Sequence, residues 1–223
     1  MFVAHIYKLC AILPSIETML KKLTFLSILY ILTISCQERN YLVKDNKVYM
    51  LGWNEGIGNY ERLVDNADAK TFKKLEFNCD CDFLFAKDKS HLFIDGELIK
   101  NIDPNTFTFV GNYIFKDKNS AYFFGFYDNL NNCKIIGVDP NKIELISYPW
   151  AKAGDILIHG NDTIKLNDIS DFKPIDENWG KTKDKVLNEN KILPDADPES
   201  FIVTSSFAGY DKKNKFEFGK LKK

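Results

Sequence analysis

Residues 112–125 read Asn112-Tyr113-Ile114-Phe115-Lys116-Asp117-Lys118-Asn119-Ser120-Ala121-Tyr122-Phe123-Phe124-Gly125. Two short runs of aromatic and β-branched residues flank a polar Lys-Asp-Lys-Asn cluster of hairpin length, so the stretch predicts a β-hairpin. Gly125 follows the second strand, where a residue without a Cβ takes a positive φ at little cost. Gly96 and Gly219 stand at matching places and are expected to do the same.

The unit repeats. An offset of 29 places Lys87-Asp88-Lys89 on Lys116-Asp117-Lys118, Leu92-Phe93 on Ala121-Tyr122 and Gly96 on Gly125. At an offset of 94, Lys181 to Phe201 aligns without a gap to Lys87 to Phe107. Weaker copies lie at Lys44 to Gly52 and at Lys152 to Gly160, and Asp211 to Gly219 opens a partial last one. This counts as five units and a fragment. Between units stands Asp103-Pro104-Asn105-Thr106-Phe107 and its relatives. There the aspartate caps a short helical turn, and the proline takes the first position, where no amide donor is needed. The apolar residue ending each turn (Phe72, Phe107, Ile143, Phe172, Phe201) is expected in the core.

The fold class is therefore all-β: tandem β-hairpin repeats of about 29 residues, each with a short helical turn at the Asp-Pro segment. Two or three strands per unit fall short of a four-stranded propeller blade of about 40 to 50 residues. An open repeat array remains, with a closed barrel-like arrangement as the alternative. A lone hairpin is marginal in water, so each unit must bury its aromatic face on a neighbour, and the divergent end units act as caps.

Asp117-Lys118-Asn119-Ser120-Ala121-Tyr122-Phe123 with Asp139-Pro140, and Ala196-Asp197-Pro198-Glu199-Ser200-Phe201, resemble the repeat of the bacterial DKNYY family over most of residues 43–220. Phe93 and Leu187 replace the family's tyrosine, and the unit at residues 152–172 departs from the pattern. The resemblance implies a tandem β-repeat on exported or lipid-anchored bacterial proteins, and no particular activity.

The N-terminal region carries an address. Met19-Leu20-Lys21-Lys22 is a short positive segment, and Leu23 to Ile34 is apolar apart from Ser27 and Thr33. Twelve residues are too few to span a bilayer and suit a signal-peptide core. Leu32-Thr33-Ile34-Ser35-Cys36 resembles a bacterial lipoprotein signal, which makes Cys36 the lipid-attachment residue, although Thr33 stands where an aliphatic residue is usual. An uncleaved anchor and a non-lipidated signal are the alternatives. Residues 1–18 precede a complete signal and are read as upstream of the true start at Met19. The expected organisation is thus a signal at 19–35, a tether at 36–42 and a single β-repeat domain at 43–223. Removing residues 1–35 takes away Lys8, Lys21, Lys22 and Glu17, leaving 27 basic and 30 acidic residues.

The 223-residue chain is 45% apolar and 14% aromatic, enough for a real core. Its only arginines are Arg39 and Arg62, so the forked donor that reads guanine or grips phosphate is nearly absent, and a nucleic-acid partner is not expected. Of the five cysteines, Cys79, Cys81 and Cys133 remain in an oxidising compartment, giving one pair and a leftover thiol. Cys79 or Cys81 with Cys133 is one pairing; sequence leaves the connectivity open. Asp80 and Asp82 beside Cys79 and Cys81 do not complete a zinc set, so neither metal nor cofactor is expected.

No catalytic set emerges. His91 and His159 occupy different places in their units, and Gly-x-Ser-x-Gly is absent. The repeated aspartates 45, 88, 103, 117, 139 and 197 read as turn and cap residues rather than as glycosidase carboxylates. Asparagine at 88 or 117 is accordingly expected to preserve the fold. Trp53, Tyr60, Tyr127 and Trp150 lie in or near insertions and are the candidate partner contacts. The expected role is a non-enzymatic interaction module, lipid-anchored at the bacterial cell envelope (outer membrane or cell surface), with a protein or glycan partner. An immunity protein against a toxin and a glycan-active enzyme are the alternatives.

Overall fold

The computed structural model describes residues 39–125 and 132–222. The chain divides into two compact units. Of the described residues, one comprises 39–40 and Leu51–Arg62, and the other comprises Tyr41–Met50 and the residues from Leu63 onward.

Strands β1 (Asn40–Lys44), β2 (Lys47–Asn54) and β3 (Gly58–Leu63) form the first sheet in that order. Asp45 and Asn46 both have positive φ, the mark of a two-residue turn whose twist matches the strands it joins. In the smaller unit, Asn54 Oδ1 accepts from the Gly56 and Ile57 N–H groups and holds the hairpin tip.

Five four-stranded antiparallel sheets follow. The second sheet holds β4 (Lys73–Leu75), β5 (Phe85–Lys87), β6 (Leu92–Ile94) and β7 (Glu97–Ile99); the third, β8 (Thr108–Gly111), β9 (Ile114–Lys116), β10 (Ala121–Phe123) and β11 (Lys134–Ile135). The fourth holds β12 (Ile143–Ser147), β13 (Trp150–Ala153), β14 (Ile156–His159) and β15 (Asp162–Lys165). The fifth is β16 (Lys173–Pro174), β17 (Trp179–Lys181), β18 (Val186–Asn188) and β19 (Lys191–Ile192), and the sixth is β20 (Ile202–Ser205), β21 (Ala208–Tyr210), β22 (Lys215–Glu217) and β23 (Lys220–Leu221). Each is a meander with the expected Lys-Asp-Lys hairpin, or its counterpart, at its centre.

The strand count corrects the reading of two or three strands per unit. Four strands fit because they are only two to five residues long and many of the turns need only two residues. The fragment at Asp211 to Gly219 is likewise the middle of a complete sheet. The unit at 152–172 keeps the same topology, with Gly154 (φ 65°) and Asp155 replacing the longer hairpin turn.

Alternation along the central strands decides how the sheets pack. In β9, Phe115 joins the second sheet's Phe85, Leu92 and Ile94, whereas Ile114 points the other way, to Ala151 and Ile158 of the fourth. Trp150 and Leu157 then meet Phe172 and Leu187 of the fifth sheet, and Trp179 and Val186 meet Phe201 and Phe216 of the sixth. Each of these four cores is thus shared by consecutive sheets, in an open β-repeat array and not a closed barrel. Covered on both faces, the inner strand β6 is apolar throughout, Leu92-Phe93-Ile94, and β10 likewise, Ala121-Tyr122-Phe123. The repeated turn residues Phe107, Phe172 and Phe201 are buried as expected, while Phe72 and Ile143 are half-buried.

Two tryptophan clamps reinforce the later junctions. Trp150 Nε1 donates to the Asp176 carbonyl at 2.8 Å, and Trp179 Nε1 donates to the Ser205 carbonyl at 2.9 Å. His159 Nε2 and the Glu177 carbonyl lie 2.8 Å apart beside the first clamp. On the sixth sheet the corresponding position is Ala208, and that face carries Tyr210, Lys215, Glu217 and Lys222. A Lys222–Glu217 ion pair there makes it a polar end cap.

Candidate functional site

The repeated aspartates form a latch at one rim of the sheets. Asp117 Oδ1 accepts from the Asn119 and Ser120 N–H groups at 2.7 Å, capping its own hairpin. Its Oδ2 accepts from the Asp103 N–H at 2.8 Å and from the Tyr122 hydroxyl at 3.0 Å. Asp88 and Asp211 repeat the pattern, reaching the N–H groups of Asp68 and Asp197 at 3.0 and 2.9 Å.

The flanking lysines complete the latch. Lys118 pairs with Asp103 at 2.9 Å and Lys212 with Asp197 at 2.8 Å. Lys87 and Lys181 donate forward to the Pro104 and Pro198 carbonyls at 2.6 and 3.0 Å. The Asp103-Pro104 and Asp197-Pro198 turns are therefore each gripped by the hairpin before and the hairpin after, whereas Asp139-Pro140 is held by Lys116 of the hairpin before it. Where the fifth sheet replaces the aspartate with Thr182, the hydroxyl accepts from the Asp184 and Lys185 N–H groups and donates to Asp168.

The electrostatics follow from these bonds. The Lys212 ammonium and the Ser200 hydroxyl hold the Asp197 carboxyl down at about 2. Burial alone would raise Asp88, but N–H groups of Asp68, Ser90 and His91 outweigh it and its pKa is lowered. Burial pushes the Tyr122 hydroxyl upward, helped by its bond to Asp117. These carboxylates are spent on the backbone.

The opposite rim carries the turns that join each flanking strand to the central hairpin. In five sheets the first residue of the later turn donates its N–H to the last residue of the earlier one: Asp95 to Leu84, Phe124 to Tyr113, Gly160 to Pro149, Glu189 to Asn178 and Phe218 to Phe207. Gly96 and Gly219 have φ of 76° and 71°, as expected. Gly125 does not have positive φ, because a longer segment follows it before β11. A side chain is barred there for another reason: a Cβ would lie 2.3 Å from the Phe123 ring.

On this rim Phe207 and Phe218 are 53% and 65% exposed, with rings stacked at 5.2 Å and an interplanar angle of 15°. Beside them lies a cleft of about 400 Å³, lined also by Asn178, Asn188, Glu189, Lys191 and Ser206. Sequence reading missed this pair. Its signal was Phe218-Gly219 in a turn whose other copies carry Asp95-Gly96 and Glu189-Asn190.

Of the sequence-predicted contacts, Trp53 and Tyr60 share the β2–β3 hairpin of the smaller unit, and Trp150 belongs to the larger one. Trp150 is fully buried, its ring centroid 4.4 Å from that of His159 at a tilt of 57°, which corrects its assignment as a surface anchor. Trp53 is 42% exposed on the smaller unit's hairpin, where Tyr60 covers Gly52 so closely that a Cβ would lie 2.4 Å from its ring. Tyr127 and Cys36 lie outside the described residues. Cys79 is bonded to Cys81, and among the described residues Cys133 is the free, buried thiol, so the pairing with Cys133 is replaced by a bond within Cys79-Asp80-Cys81. Among the described residues no three His, Cys, Asp or Glu side chains are grouped to hold a metal ion.

A stack of small antiparallel sheets, latched by Asp-Lys hairpins to Asp-Pro turns, is a tandem β-repeat protein. The DKNYY family profile matches residues 41–220, and the chain belongs to that family. No curated protein and no solved structure matches it.

Proposed function

We propose that the protein is a non-enzymatic binding module of the bacterial cell envelope, held at the membrane by lipid on Cys36. The supporting observation is the division of labour between the rims. The hairpin carboxylates of Asp88, Asp117 and Asp211, natural candidates for acid–base work, each accept three or more hydrogen bonds, and large aromatic surface stands exposed on the other rim. A general acid or base needs a carboxyl free to exchange a proton with substrate. An anchor residue needs exposed aromatic area.

The address and the activity are tested separately. Palmitate labelling of the full chain should vanish in Cys36→Ala, and persistence of the label would remove the lipid anchor from this reading. For the activity, capture of a partner from envelope extracts by Phe218→Asn and Phe207→Ala is compared with capture by Asp117→Asn, alongside melting temperatures. A folded Asp117→Asn protein that has lost function, with both aromatic variants unaffected, would move the assignment to an enzyme.

A further inference from the structure

The cleft between the fifth and sixth sheets has features that a general contact surface does not require. Asn188 is only 5% exposed, and its amide nitrogen donates to the Asn178 and Ser206 carbonyls at 3.3 and 3.5 Å, bridging the two sheets. That orientation turns Oδ1 toward the cleft, where it takes no hydrogen bond from the described residues. It is not a sealed, unsatisfied atom either, so it remains within reach from the cleft. Gly219 keeps the space open, since a Cβ on it would lie 3.5 Å from Asn188 Oδ1 and 3.3 Å from Lys191 Cδ.

The wall is aromatic and held against the backbone's preference. Phe218 has φ 52°, a region costly for a bulky L residue, where the fifth sheet's copy is Glu189 and the second sheet's is Asp95. Strain of this kind persists where the surroundings over-determine it, and it clusters at ligand sites. In Phe218 it holds a flat, uncharged ring in water beside a fixed amide oxygen. One cation and one anion, Lys191 and Glu189, leave the lining without net charge.

We propose that this cleft binds a neutral saccharide, one pyranose ring lying on Phe218 with a hydroxyl or acetamido N–H donating to Asn188 Oδ1. A pyranose has an apolar C–H face and a rim of donors, which this lining matches; a charged ligand would find no complementary excess, and a purely apolar one would strand the asparagine oxygen. The assignment rests on the binding-module reading and names the ligand for it.

Saturation-transfer NMR on the mature protein with N,N′-diacetylchitobiose, cellobiose and maltose tests it. At least one should bind saturably in the millimolar range, and both Phe218→Asn and Phe207→Ala should weaken it about tenfold or more. Asparagine tolerates positive φ, so Phe218→Asn should fold at least as stably as the parent, which separates a lost platform from a lost fold. Binding unchanged in folded Phe218→Asn would overturn the proposal, as would no saccharide binding at all. If no saccharide binds while Phe218→Asn still abolishes partner capture, the occupant is a protein: the saccharide falls and the binding module stands.

Discussion

Asp117 holds the backbone N–H of Asp103, fourteen residues earlier, with one carboxylate oxygen while the other oxygen caps its own hairpin. All four bonds to that carboxylate arrive from donors. Asparagine offers one acceptor oxygen and two N–H donors, so whichever way it is turned, an N–H faces other N–H groups. Asparagine is therefore expected to keep the fold at reduced stability rather than to be neutral. Asp117→Asn should cost about 1–3 kcal/mol, with Asp117→Ala at the upper end. Urea unfolding measures both, and a midpoint unchanged in Asp117→Asn would deny the latch its energetic role.

The same bonds set an acid limit. Asp197 sits at about 2 against an ordinary value near 3.8, and Asp68, Asp88, Asp103, Asp168 and Asp211 are also lowered. A carboxyl depressed in the folded state binds fewer protons than in the unfolded chain, so its contribution is complete above about pH 4 and is lost as pH falls toward about 2. Unfolding midpoints should drop through that window, and less steeply in Asp197→Asn. Stability flat between pH 4 and pH 2 would contradict the assignment.

Repetition made the local turn chemistry legible, because Lys-Asp-Lys and Asp-Pro recur through the chain; that Asp117 also reaches back to the Asp103 N–H was not, because that bond joins separate turns. Packing was less legible. Trp150 reads as an insertion residue until the sheets are stacked, because nothing near it in sequence says that Phe172 and Leu187 will cover it. Phe218 fails in the opposite direction. Its aromatic character suggests core, but the turn geometry faces it outward, and only comparison with Asp95 and Glu189 marks it as out of place.

Trp150 and Trp53 should therefore part company. Trp150→Ala removes a fully buried indole and should cost about 3–5 kcal/mol, and Trp150→Phe should lose about 1 kcal/mol or more by orphaning the Asp176 carbonyl. Trp53→Ala, at 42% exposure, should leave the melting temperature nearly unchanged. Calorimetry on the three variants checks the order, and a stable, folded Trp150→Ala protein would place the indole outside the core.

Burial pushes the Cys133 thiol up to about 11, so little thiolate exists at pH 8 even where reagent can reach it. Among the three cysteines of the described residues, iodoacetamide at pH 8 should label none in the native protein, Cys133 alone in urea, and Cys79 and Cys81 only after reduction. Peptide mapping reads all three states. Recovery of a Cys133 disulfide would reinstate the alternative pairing.

Gly209 lies beneath Phe201, and a Cβ there would come within 2.6 Å of the ring and 3.0 Å of the Ile202 carbonyl. Gly180 and Phe172 repeat the arrangement at 2.4 Å, so a glycine on the central strand lets the turn phenylalanine lie flat on its own sheet. Overpacking makes Gly209→Ala destabilising by about 1–3 kcal/mol, and Phe201→Ala leaves a cavity worth about 3–5 kcal/mol. Because the methyl and the ring compete for one space, the double variant should cost less than the sum by about 1 kcal/mol or more. Some strain should remain, since the Ile202 carbonyl is backbone and cannot move aside. Additive energies in the urea-unfolding cycle would mean that the glycine and the phenylalanine do not share that space.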